Sequence, residues 1–154
     1  MAKKKKQDIA KRIENRRARH DFELGEDLVV GIELTGAEAK NLRMGHGHLR
    51  GSYVTIKDGQ LWLINATISG TGSMPISEQD QTRSRRLLAK RREIEALIAA
   101  KQQGKTIVPL EVLTRGRFVK LRIAVARGKK KYDKRQALKE RDAQREANRA
   151  MKLR

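Results

Sequence analysis

Three stretches of this chain combine residues able to do chemistry on a polyanion. "NRRARHD", residues 15–21, sets Arg16, Arg17 and Arg19 beside Asn15 and His20, so cations for phosphate stand next to polar groups able to bond ribose or a base edge. "RSRRLLAKRRE", residues 83–93, carries five further arginines. "RGKKKYDKR", residues 127–135, interrupts its lysines with Tyr132 and Asp133, and a purely electrostatic handle would need neither. Each stretch has a plainer alternative: a nonspecific basic arm, an amphipathic helix whose outer side is basic, and a solvated charged tail.

Other chemistry is poorly supplied. His46 and His48 in "HGH" could begin a zinc site, but two ligands are not a site and His20 is distant in sequence. There is no cysteine, hence no disulfide framework, thiolate metal site or cysteine nucleophile. No serine sits in a nucleophile-elbow context, and Glu93 and Glu95 do not share a helical face. Clustered carboxylates for nuclease metals are not evident. The expectation is a protein without metal, cofactor or catalytic residues; an RNA-processing hydrolase is the weakest of the alternatives.

The charge supports this direction. The 154 residues carry 37 Lys and Arg against 18 Asp and Glu, a formal net charge of +19. Such an excess expects a phosphate polymer, because cations that neutralise phosphates release counterions. Residues 1–20 hold nine of these cations and two acids, and residues 127–154 hold twelve and four, so the middle reads as an ordinary domain with basic arms. No apolar stretch follows "MAKKKKQD" and no uncharged run could span a bilayer, so a cytoplasmic protein with no membrane partner is expected. Aromatics are 3% of residues, too few for a platform gripping single-stranded bases. Folded RNA, read by shape and backbone, is the expected ligand, with no role for DNA.

The elements that would position these residues follow from periodicity. Leu28, Val30, Ile32 and Leu34 alternate as in a half-buried strand. Thr35 and Glu38 then stand at capping-box spacing before a short helix that Gly45 stops. Asp58-Gly59 centres a hairpin, with Trp62 expected in the core. Residues 69–81 read as a loop. A helix is expected over 82–104, with Leu87, Leu88, Ile94, Leu97 and Ile98 on its apolar side. Two strands flank Arg115-Gly116, Pro109 implying an edge or a bulge. Five or more strands with two inserted helices suffice for a small closed or nearly closed barrel. The reading is mainly β: an arm over 1–12, a domain over 13–127 and a tail over 128–154, disordered when free because it has too few apolar residues to dock. Wound as a helix, that tail aligns Lys134, Arg141, Arg145 and Arg149 in one stripe.

Five blocks, "NRRARHD", "LTGAEAKNLR" (34–43), "TRSRRLLAKRREI" (82–94), "IVPL" (107–110) and "ARGKKKYDKR" (126–135), resemble in order and spacing the signature blocks of the SsrA-binding protein (small protein B) family. Together they run over nearly the whole chain. The resemblance implies an OB-like closed antiparallel barrel of about six strands with two to three helices. It implies binding to the tRNA-like domain of transfer-messenger RNA and its delivery, in a ternary complex with elongation factor Tu, to stalled bacterial ribosomes for trans-translation. The tail would sense the empty decoding centre and the mRNA channel of the small subunit, becoming helical there.

Carried over by position, the resemblance implies an RNA-binding surface of Asn15, Arg16, Arg17, Arg19, His20, Glu38, Lys40, Arg43, Leu88, Lys90 and Lys120. Gly128, Lys129, Lys130, Tyr132, Asp133, Lys134 and Arg135 would meet the decoding centre, Tyr132 stacking on an rRNA base and Asp133 accepting hydrogen bonds or capping the tail helix. Glu38 could serve only the capping box, and Leu88 could be plain core. The chain departs from the family pattern at Phe22, Val29, His46, His48 and Gly51, and lacks a proline usual after "TIS". A general RNA-binding or ribosome-associated protein with nonspecific basic arms is the alternative.

Overall fold

The computed structural model describes residues 12–129 and 131–152, and of residues 131–133 the backbone alone. The expected arm therefore lies outside the described residues except for Arg12, as do Lys130 and the side chains of Tyr132 and Asp133. The chain runs through β1 (Ile13–Glu14), α1 (Arg16–Asp21), β2 (Phe22–Ile32), α2 (Gly36–Arg43), β3 (Gly47–His48), β4 (Tyr53–Lys57) and β5 (Gln60–Ile64). It continues through β6 (Thr67–Ile68), α3 (Glu78–Gln81), β7 (Arg85–Leu88), α4 (Arg91–Gln102), β8 (Thr106–Leu113), β9 (Lys120–Gly128) and α5 (Lys131–Lys152).

The strands pair in the order β8-β4-β5-β7-β2-β9, and β9 pairs again with β8, so six antiparallel strands form a ring. Strand β1 adds to β8, and β3 with β6 makes a separate ribbon. Alternation along each strand sends one face inward. Val30, Val54, Leu61, Leu63, Leu87, Ile107, Leu121 and Ile123 form a single core cluster, joined by Leu42 and Leu97 from α2 and α4. Burial of each such side chain is worth roughly 1.5–3 kcal/mol.

Local chemistry explains the corners. Asp58 and Gly59 both take positive φ, 52° and 71°, the turn whose twist matches the β4–β5 strands it joins. Thr35 Oγ1 accepts the Glu38 N–H at 3.3 Å while Glu38 Oε1 accepts the Thr35 N–H at 3.0 Å, closing the expected capping box on α2. The β8–β9 register shifts between Pro109 and Glu111, the bulge that Pro109 demands, and Pro109 itself is fully buried.

Three expectations need correction. Residues 85–88 are a strand: Arg85 and Leu87 point inward, Arg86 and Leu88 outward, and the helix begins only at Arg91. Adjacent leucines resemble a helical stripe, but here a period of two governs, and Leu87 pairs with Leu61 and Ile32. Trp62 is half-buried on the outer side, because Leu61 and Leu63 occupy the inner one. Within the expected tail, Lys131–Lys152 form α5, a continuous helix of 22 residues, built from strong helix formers and tied to the domain at its start. Strand β9 includes Gly128, which pairs with Phe22.

Candidate nucleic-acid interface

Helix α1 has six residues, too few to stand alone. Ala18, its single buried residue, packs with Val108 and Ala126, and Asn15 staples its start to the β8 bulge. The Asn15 amide donates to the Pro109 carbonyl at 2.9 Å and its N–H to that of Leu110 at 2.7 Å. Docking through one small residue leaves Arg16, Arg17 and Arg19 exposed. Asn15 is thus a holder of the helix, its side-chain amide already engaged.

The start of the tail meets this helix. The Lys129 N–H donates to the Asp21 carbonyl and Lys129 Nζ to that of Arg19, both at 3.0 Å. Asp21 Oδ1 lies 2.9 Å from His20 Nδ1 and 3.3 Å from Lys134 Nζ. The hydrogen bond with His20, opposed in part by burial and aided by Lys134, holds the Asp21 carboxyl below its ordinary pKa. Two segments expected to meet different partners, residues 15–20 the transfer-messenger RNA and the tail the decoding centre, are therefore joined. Arg135 is exposed.

Glu38 is different. It is 1% exposed, and its carboxylate receives Arg83 Nη2 and Nε on Oε1 and Arg85 Nε on Oε2. Arg85 is wholly buried, yet each of its five donors is used: Nη1 donates to the Ala66 and Arg83 carbonyls at 2.8 and 3.1 Å, and Nη2 to those of Asp80 and Gln81 at 3.0 Å. That saturation is what allows a guanidinium inside a core. Burial pushes the Glu38 carboxyl up, but the bonds from Arg83, the Thr35 N–H and Arg85 outweigh it and leave its pKa below the ordinary value. Burial likewise lowers the Arg85 pKa against the pull of Glu38. Glu38 has no lone pair facing solvent; it organises the fold.

The remaining candidates gather at the far end of β9. Lys120 and Leu88 are both direct partners of Gly31 across β9, β2 and β7, so their side chains share the outer face of the ring on either side of a bare backbone position. Leu88 is 50% exposed, which removes the core alternative for it. Lys90 follows at the start of α4, its N–H capped by Glu93 at 2.8 Å. Lys40 is exposed on α2, and Arg43, one turn on, reaches the loop before Lys120: Nη1 donates to the Thr114 and Gly116 carbonyls at 2.8 and 3.0 Å, and Nη2 to that of Arg117 at 2.9 Å. Among the described residues, Arg16, Arg17, Arg19, Lys40, Lys90 and Lys120 form no ion pair.

Two basic neighbourhoods thus lie at opposite ends of β9, about 26 Å apart at 3.3 Å per residue. From Val112 to Tyr132 the chain has no Asp or Glu. A groove of about 860 Å³ between β2, β9 and α4 has a mixed lining, with Glu23, Glu26, Asp27 and Glu93 beside Arg92, Lys105 and Arg127. His46 and His48 are exposed, and among the described residues no three His, Asp or Glu are placed to hold a metal. Sequence reasoning overlooked Arg83 and Arg85 as partners of Glu38, and the loop of Arg115, Arg117 and Phe118. Phe118, stranded between basic residues beside a glycine turn, was the available signal.

The family described as SmpB protein matches residues 12–153. An SsrA-binding protein of Synechococcus sp. (strain JA-3-3Ab) is 43% identical, covering 91% of this chain and 92% of its own. Its counterpart from Rubrobacter xylanophilus is 45% identical over 91% and 94%. A solved structure described as "tmRNA-SmpB: a journey to the center of the bacterial ribosome" superposes with a TM-score of 0.63 at 37% identity, covering 82% of this chain and 94% of that one.

Proposed function

The chain belongs to the SmpB protein family, and from that premise we propose that it binds the tRNA-like domain of transfer-messenger RNA and brings it to stalled ribosomes. The observation that carries this reading is the set of exposed cations at both ends of β9 that form no ion pair among the described residues. Two sites so far apart suit a folded RNA touched through its backbone, not a short strand. The six-strand ring is read as an OB-like barrel whose outer side offers Leu88 and Lys120, with Lys40, Lys90 and the α1 arginines around it. Glu38, Asn15 and Arg43 support this surface.

The tail reading rests on α5. At 1.5 Å per residue its 22 residues extend about 33 Å, and Arg141, Arg145 and Arg149 are exposed along it, a shape able to follow a channel lined by RNA. In this reading Gly128, Lys129, Lys130, Tyr132, Asp133, Lys134 and Arg135 meet the decoding centre, delivery proceeds with elongation factor Tu, and the protein works in the cytoplasm without catalysis. Among the described residues no helix is long and apolar enough to cross a membrane.

Competition gel shifts test the RNA. Binding to the tRNA-like domain should exceed binding to an unrelated folded RNA of equal length; equal affinities, fading together with salt, would leave only a nonspecific basic protein. Deleting residues 128–154 should spare RNA binding and abolish tagging on stalled ribosomes, whereas equal loss of both would refute the division.

A further inference from the structure

The β8–β9 connection, residues 114–119, is closed by the Leu113–Lys120 pair and turned by Gly116, whose φ of 92° excludes most side chains. Val119 enters the core, but Phe118 is 67% exposed. No core wants Phe118, yet the loop that carries it is not slack: Arg43 spends its guanidinium on three carbonyls of that loop. Arg117 stands over the Phe118 ring, 5.5 Å from its centroid. Arg115, Arg117 and Lys120 lie within three positions of it in a segment with no acid.

We propose that residues 114–118 form a preset finger that stacks Phe118 on an unpaired nucleobase, with Arg117 covering the adjoining phosphate and Arg43 acting as a positioning residue. Charge selects the class of partner: an apolar protein surface would not match an acid-free loop holding two arginines, whereas every nucleobase offers a π-face beside a phosphate. Arg43 supplies rigidity, since its planar guanidinium presents donors in a fixed fork that holds three carbonyls in one arrangement. The inference rests on the RNA-binding reading above and adds a residue to it. The base could belong to transfer-messenger RNA or to ribosomal RNA, and the experiment separates the two.

Affinities are measured in two arms, for the tRNA-like domain transcribed in vitro and for purified small ribosomal subunits. Phe118→Ala should weaken one arm by about tenfold, Phe118→Trp should restore it and Phe118→Leu should not. Arg43→Ala should cause a similar loss with the salt slope unchanged, and should add little to Phe118→Ala. Unchanged Trp62 fluorescence would certify the fold of the Ala and Leu variants, and an unchanged denaturant midpoint that of Phe118→Trp. Wild-type affinity for Phe118→Ala in both arms overturns the proposal, as does rescue by leucine. A salt slope reduced by about one in Arg43→Ala would make Arg43 itself a phosphate contact and overturn its positioning role. Wild-type protein that shows no preference for the tRNA-like domain would instead refute the functional reading, while the small-subunit arm still decides the finger.

Discussion

Glu38 and Asp21 are both carboxylates that accept from two basic side chains, and they do opposite work. Glu38 is itself buried and joins α2 to the segment 83–85; Arg83 keeps a third of its side chain exposed, but Arg85 is wholly buried, where water cannot replace it. Asp21 joins α1 to α5 with about a third of its side chain exposed, where water and salt compete. The difference teaches that burial, not chemistry, decides whether an ion pair is part of the frame or a releasable latch.

Breaking the buried side should have the largest effect. Glu38→Ala leaves the Arg85 guanidinium in the core without its carboxylate and should lower stability by about 3–5 kcal/mol, read from denaturant midpoints. A loss below about 1 kcal/mol would place Glu38 with Asp21 as a surface pair.

The pH dependence sharpens the contrast. Because the folded pKa of Glu38 lies below its ordinary value, its contribution is complete above the unfolded carboxylate pKa, about 4.3, and disappears as pH falls through the folded one. The midpoints of wild type and Glu38→Gln should therefore converge as pH is lowered below about 4. A gap that widens in acid would contradict the assignment.

The exposed side should yield the smallest change in stability, within about 1 kcal/mol for Asp21→Asn. Its signature is local: amide exchange should accelerate in the first turns of α5 and not in β2 or β9. Salt at about 1 M should loosen the same turns in wild type, since its screening length is then only about 3 Å. Equal acceleration in the core strands would mean that Asp21 belongs to the frame after all.

The hairpin at Asp58-Gly59, the capping box at Thr35 and Glu38, and the bulge at Pro109 were legible because each depends on residues within a few positions of one another. Residues 85–88 were misread because "RRLL" has no period of its own; its strand character comes from Leu61 and Ile32 on neighbouring strands. Trp62 was misplaced for a related reason: alternation in "QLWLI" is unambiguous, but either face could have been inside. The tail's composition spoke for disorder, and its anchors, Asp21 and the Arg19 carbonyl, lie over a hundred residues away.

Composition and collinear motifs were enough to place the family, the concentration of charge towards the two ends and most of the strands, since charge and periodicity are properties of the chain before it folds. Which cations remain available for RNA was a matter of folding. Arg85 and Arg43 look in the sequence like Arg16 and Lys120, but closing the ring brings Arg85 against Glu38 and Arg43 against the 114–117 carbonyls. An unpaired polar group inside a protein is too costly to leave. Arg85 is therefore taken by buried acceptors, Arg43 is spent on exposed loop carbonyls, and the cations engaged by neither remain at the surface.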